Sequence, residues 1–178
     1  IVECTQRGTY TIAGTKGGNI YLMKIDDNGD TLWTKNYGSG AGYCMFETPD
    51  QGYVVTGTSG LAQIDLCLLK IGVNGNTVWR KTYGGVDTDC GRCVRKTADG
   101  GYVIAGYTGP SANYDVYLLK TDSLGDTIWT RKYGGASSDC GNSLVETFDH
   151  GYMIAGYTYS FGAGGADVWI IRTNAQGE

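Results

Sequence analysis

Nearly the same nine residues occur twice, fifty positions apart: GGYVIAGYT from Gly100 to Thr108 and HGYMIAGYT from His150 to Thr158. The pair belongs to a longer period. Gly14, Gly57, Gly106 and Gly156 close the phrases YTIAG, YVVTG, YVIAG and YMIAG at spacings of 43, 49 and 50. Trp33, Trp79 and Trp129 recur at 46 and 50, in TLWTKNYG, TVWRKTYGG and TIWTRKYGG. Between them lies a third phrase, NIYLMKIDDNGD, DLCLLKIGVNGN, DVYLLKTDSLGD and DVWIIRTNAQGE. Self-similarity near 50 residues marks a chain of units that bury their apolar faces only against one another. The shorter first spacings require deletions near Gly17-Gly18 and between Gly38 and Cys44.

Each period holds four short β-like runs. Runs one and two are joined by turn residues such as Pro49-Asp50-Gln51-Gly52, Asp99-Gly100-Gly101 and Asp149-His150-Gly151. Runs three and four are joined by Asn28-Gly29, Asn74-Gly75 or Leu124-Gly125, and Asn-Gly between apolar runs is a strong hairpin signal. Both faces of YVIAGY and VYLLK are apolar or small, as in strands covered on two sides. The fourth run carries Arg80-Lys81 or Arg131-Lys132, charges that mark a wet sheet edge. No stretch keeps a 3.6-residue period with caps, so no substantial helix is expected.

Four-stranded antiparallel sheets covered by copies of themselves are the blades of a β-propeller. The predicted fold class is therefore all-β, a β-propeller with about 3.75 four-stranded blades in this chain. A β-solenoid is the alternative, and the tight hairpins argue against it. The repeats divide at approximately 1–43, 44–89, 90–139 and 140–178 within one propeller segment. Propellers close with four to eight blades, so flanking blades, or a second copy of the chain, are expected as partners. The first residue is Ile1, and the chain reads as the middle of a longer one.

The run DGGYVIAGYT…DVYLLKTDSLGDTIWTRKYGG resembles the roughly 50-residue propeller repeats of secreted and cell-surface bacterial and archaeal proteins. The likeness covers essentially the whole chain and implies an extracellular or cell-surface location. The hairpin with Asp122, Gly125 and Trp129 also resembles the Trp-docking hairpin of quinoprotein-type propellers. That resemblance implies that Trp33, Trp79 and Trp129 pack between neighbouring blades. It brings no cofactor, because no ligands for a quinone or metal stand out.

Net charge is −4, so the basic footprint of a nucleic-acid binder is absent. No apolar run approaches the ~18 residues that insert into a bilayer. Asp26, Asn28 and Asp30 alternate as calcium ligands do, against the simpler reading of a hairpin turn with solvated acids. No other cofactor is expected. Asp87, Asp89 and Asp139 in the YGG loops, and Asp65, Asp115 and Asp167 at the starts of the third strands, recur by repeat and read as turn caps. Of six cysteines, Cys90 and Cys140 share one repeat slot and Cys44 and Cys93 another, making these four the disulfide candidates, with the pairing open. Cys90-Gly-Arg-Cys93 has metal-ligand spacing but no second pair, and His150 is the only histidine.

Binding on a propeller resides in its loops. The longest and most aromatic, YTYSFGAGGAD, makes Tyr157, Tyr159 and Phe161, with Tyr107 and Thr108, the candidate contact surface. The resulting expectation is a non-catalytic binding or structural scaffold contacting protein or glycan. The alternatives are a glycan-active or quinoprotein-like enzyme, or a subunit of a surface assembly. A catalytic site needs unlike residues from several repeats, which a faithful repeat does not supply.

Overall fold

A computed structural model describes residues 2–6, 8–60 and 63–178, of which 2–6 by backbone alone, so the Cys4 thiol lies outside the described residues. Among these, fourteen strands and no helix are present. They are β1 (Val2–Gln6), β2 (Thr9–Lys16), β3 (Asn19–Asp26), β4 (Thr31–Glu47), β5 (Tyr53–Ser59), β6 (Asp65–Ile71), β7 (Thr77–Tyr83), β8 (Thr88–Lys96), β9 (Tyr102–Gly109), β10 (Asp115–Thr121), β11 (Thr127–Tyr133), β12 (Asp139–Glu146), β13 (Tyr152–Thr158) and β14 (Asp167–Thr173). Every pairing is antiparallel between chain neighbours.

The repeat appears as four sheets in succession. β8 to β11 form the third and β12 to β14 the fourth. The first and second differ from simple four-stranded units, because β4 is one strand of 17 residues serving both. Its first half pairs with β3 up to Ser39, and its second half pairs with β5 from Gly40. The equivalent junction from Tyr83 to Gly91 holds a loop, whereas from Tyr37 to Gly42 three residues are missing and none is left to form one. Gly38 (φ +85°) and Gly40 (φ +137°) take the bend that handing over between sheets demands.

Burial follows the apolar pattern. Every residue of β5 is buried, and β6, β9 and β10 are nearly so, whereas β7 and β11 are half-buried or exposed throughout. The sheets stack through their first strands: β8 packs on β4, β5 and β6, and β12 packs on β8, β9 and β10. Val54, Leu66 and Leu68 of the second sheet thus share one core with Ile104 and Leu118 of the third and Leu144 and Ile154 of the fourth.

In the second, third and fourth sheets the first strand carries a β-bulge at one shared slot. The register slips between Gly42 and Cys44, Gly91 and Cys93, and Gly141 and Ser143. The recurring Gly57, Gly106 and Gly156 sit opposite these bulges. A Cβ at any of them would lie 1.8 Å from the carbonyl oxygen of Ala41, Cys90 or Cys140. The glycine of YVIAGY is therefore required by its own sheet and not by a neighbouring one.

Candidate ligand-binding rim

The bulges leave Tyr43, Arg92 and Asn142 as the extra residues of three neighbouring first strands. An extra residue is free of the ladder and re-aims its side chain. The Arg92 guanidinium lies 4.7 Å from the centroid of the Tyr43 ring, on the preceding sheet, and 5.5 Å from that of Tyr107 on its own. Such contacts hold a cation by the ring quadrupole. Burial opposes the charge of Arg92, and the groups that favour it are Cys90, Cys140, Tyr107 and Tyr43, with no carboxylate among them. Its Nε is buried without a hydrogen-bond partner.

Two tyrosines from the candidate contact surface stand beside this cation. Tyr107 pairs across the sheet with Cys90, and Tyr157 occupies the same slot opposite Cys140. Burial raises both phenols, and the Arg92 charge opposes the rise. Burial also pushes the Cys90 thiol up to about 11 and raises that of Cys140. Neither thiol is a thiolate near neutrality, so the rim offers no sulfur nucleophile.

Tyr107 stacks on Tyr114 with centroids 4.7 Å apart, Tyr157 meets Tyr159 edge-on at 5.8 Å, and Phe161 tilts onto Trp169 at 5.3 Å. Tyr159 and Phe161 are half exposed. Thr108 is not on this surface: it pairs with Asp89 and Asp115 inside the sheet and is buried. The aromatic loop is tied down, because Ser160 Oγ accepts the Ser137 N–H at 3.0 Å and places its one proton between Asp139 Oδ2 at 2.7 Å and the Ser137 carbonyl at 2.9 Å. Asp139 and its counterpart Asp89 also accept the N–H of Gly135 and Gly85, at 3.1 and 3.2 Å, closing the YGG loops.

Asp26 closes a hairpin. Its Oδ1 accepts the N–H groups of Asn28 and Asp30, both at 2.9 Å. Asn174, without a charge, does the same for Gln176 and Glu178. Among the described residues no three His, Cys, Asp or Glu side chains converge as a metal site. The described cysteines are free thiols, and across the sheets the Val94 N–H, next to Cys93, donates to Cys44 Sγ at 3.4 Å.

The sequence reading named Tyr107 and Tyr157 as contact candidates and passed over Arg92, which stands beside them. Its signal was a slot where closely similar phrases carry three unlike residues, Tyr43, Arg92 and Asn142.

No family model and no curated protein matches the chain. Among solved structures it is similar to a bifunctional GH43-CE protein of Bacteroides eggerthii, at 14% identity and a TM-score of 0.49. The match covers 96% of this chain, which spans 24% of the length of that one.

Proposed function

We propose that the chain is a run of β-propeller blades acting as a non-catalytic binding scaffold at a cell surface, and that its Arg92 rim takes an acidic glycan. The propeller reading is supported by the packing of consecutive sheets through neighbouring first strands. It is also supported by the last sheet. Val168 is 84% exposed and Ile170 54%, while the repeat-equivalent Val116 and Leu118, covered by β12, are 1% and 0% exposed. The occupant of that open face is a further blade of the same repeat, since β12 already covers the equivalent face of the third sheet.

The observation that carries the ligand class is the unpaired Arg92 cation framed by tyrosines from three successive repeats. A guanidinium pairs well with a carboxylate, and tyrosine rings offer flat faces to a sugar. The burial-raised thiols and phenols around it favour binding over catalysis.

Calorimetric titration with trigalacturonate, and with galactotriose as its uncharged counterpart, tests this. Trigalacturonate is expected to bind, to lose about tenfold in affinity in Arg92→Gln, and to weaken as salt is added. Equal binding of galactotriose, or full affinity in a folded Arg92→Gln protein, would refute the reading.

A further inference from the structure

The opposite rim, built from the turns between first and second strands, holds a second site that breaks the repeat. Between the third and fourth sheets it opens into a cavity of about 470 Å³ bordered by Asp99, Lys120, Trp129, Glu146, His150 and Tyr152. The corresponding gap one repeat earlier is about 280 Å³ and is bordered by Asp50, Lys70, Lys96, Gly100 and Tyr102. Aligned by repeat, half of the lining is constant: Asp50 and Lys70 become Asp99 and Lys120, and Tyr102 becomes Tyr152. The other half changes in kind. Glu146 stands where Lys96 stood and His150 where Gly100 stood. Glu47 holds the same slot one repeat further back, so Lys96 is the exception there, and a carboxylate joined by a new imidazole coincides with the larger cavity.

The polar groups divide into satisfied and available ones. Lys120, 4% exposed, is neutralised by Asp99 at 2.8 Å. Asp99 Oδ1 also accepts the Thr97 hydroxyl at 2.6 Å and the Gly101 N–H at 3.0 Å, so that pair is occupied with itself. Glu146 Oε2 accepts the Ala98 N–H at 2.9 Å, and Oε1 lies 3.2 Å from His150 Nδ1. Each Glu146 oxygen keeps an acceptor site. With Nδ1 engaged by the carboxylate, His150 Nε2 is left for a ligand. Around these groups the walls are aromatic. Trp129 and Tyr152 line the cavity, and an adjoining hollow is walled by Phe148, whose side chain is fully exposed.

We infer that this cleft binds an uncharged oligosaccharide, laid against Trp129 and Phe148 and hydrogen-bonded by Glu146 and His150. The Lys120–Asp99 pair is neutral as a whole, and the Glu146 carboxylate that remains disfavours an acidic ligand. The free acceptors and the imidazole suit hydroxyl groups, and the rings suit the apolar face of a pyranose. The inference stands apart from the acidic ligand at Arg92, which sits on the other rim.

The repeat supplies its own control. In the double variant Glu146→Lys/His150→Gly the slot takes the residues that the preceding repeat carries and folds with. Maltopentaose, cellopentaose and xylopentaose are titrated separately into the unaltered chain, the double variant, Phe148→Ala and Arg92→Gln. At least one pentasaccharide is expected to bind. Its affinity is expected to fall by about tenfold or more in the double variant and by about threefold in Phe148→Ala, with Arg92→Gln unchanged. Phe148 is fully exposed, so its removal reports contact with ligand and not loss of fold. Absence of binding by all three sugars at about 10 mM, or binding that survives both the double variant and Phe148→Ala, overturns the inference.

Discussion

Trp129 meets Tyr152 edge-on across the boundary between the third and fourth sheets, with ring centroids 5.8 Å apart at 60°. The same pair recurs as Trp79–Tyr102 at 6.0 Å and Trp33–Tyr53 at 6.5 Å. A second grip accompanies each: the hydroxyls of Tyr37, Tyr83 and Tyr133 donate to the carbonyls of Gly75, Gly125 and Gly177, at 2.8, 2.6 and 2.6 Å. Every fourth strand thus holds the next sheet at two points. Trp79→Ala is expected to cost about 3 kcal/mol in urea unfolding, with Trp79→Phe losing less. An unchanged unfolding midpoint in Trp79→Ala would show that the ring contact is incidental.

The phenols of these grips make stability sensitive to alkali. Burial pushes Tyr133 and Tyr152 up to about 12. A raised pKa means that the neutral form is favoured by the fold. Stability is then complete below pH ~10, the unfolded tyrosine value, and is lost as pH rises through the folded values. Unfolding by alkali is expected between pH ~10 and 12, together with phenolate absorbance. Phenolate appearing near pH 10 while the chain stays folded would contradict this.

Acid acts on different residues. Hydrogen bonds from Lys70 and then from Thr48 hold Asp50 down to about 2. At Asp99 burial works the other way, but Lys120, Thr97 and Gly101 still bring it to about 2. Both values are depressed, so the stabilisation is present above pH ~4 and is lost as pH falls through about 2. The carboxylates are more than half exposed, and screening reduces each contribution to about 1 kcal/mol or less. Asp50→Asn and Asp99→Asn are expected to flatten the acid limb of the stability curve. A limb as steep as that of the unaltered chain would assign acid sensitivity elsewhere.

The period of the phrases made the four sheets legible, because a strand apolar on both faces has to be covered on both. Their hairpins were legible too, since Asn-Gly and Asp-Gly turns signal locally. What escaped was set by register. The deletion after Tyr37 was visible, but not that it would fuse two strands into β4. The role of Gly106 depends on a bulge across the ladder, which no single strand reveals. Arg92 escaped for the opposite reason: attention to what the repeats share passes over the positions where they differ.

Cys44 and Cys93 occupy equivalent slots of neighbouring first strands, and the Val94 N–H next to Cys93 donates to Cys44 Sγ at 3.4 Å. Interaction between the two buried thiols lowers Cys93 and raises Cys44, making Cys93 the better nucleophile of the pair. With glutathione disulfide, Cys93 thiolate is expected to attack one sulfur and release one glutathione. Cys44 then displaces the second, leaving a bond between the two sheets and a chain lighter by two hydrogens. Cys90 and Cys140, raised by burial, are expected to stay reduced. Peptide mapping under non-reducing conditions checks this, and a stable glutathione adduct on Cys93 would show that Cys44 cannot reach it.

The open face of the fourth sheet allows a comparison within one repeat slot. Ile170 and Leu118 are equivalent aliphatic positions, one without and one with a sheet packed on it: one is 54% exposed, the other 0%. Leu118→Lys buries an unpaired ammonium and is expected to cost about 3 kcal/mol or more. Ile170→Lys, like Val168→Lys, is expected to change stability by less than about 0.5 kcal/mol. It should also reduce concentration-dependent association, read by sedimentation, because a lysine interrupts the apolar strip that a further blade would cover. Equal destabilisation by Leu118→Lys and Ile170→Lys would mean that the fourth sheet is already covered in solution. Unchanged association in a folded Ile170→Lys protein would mean that this face takes no blade.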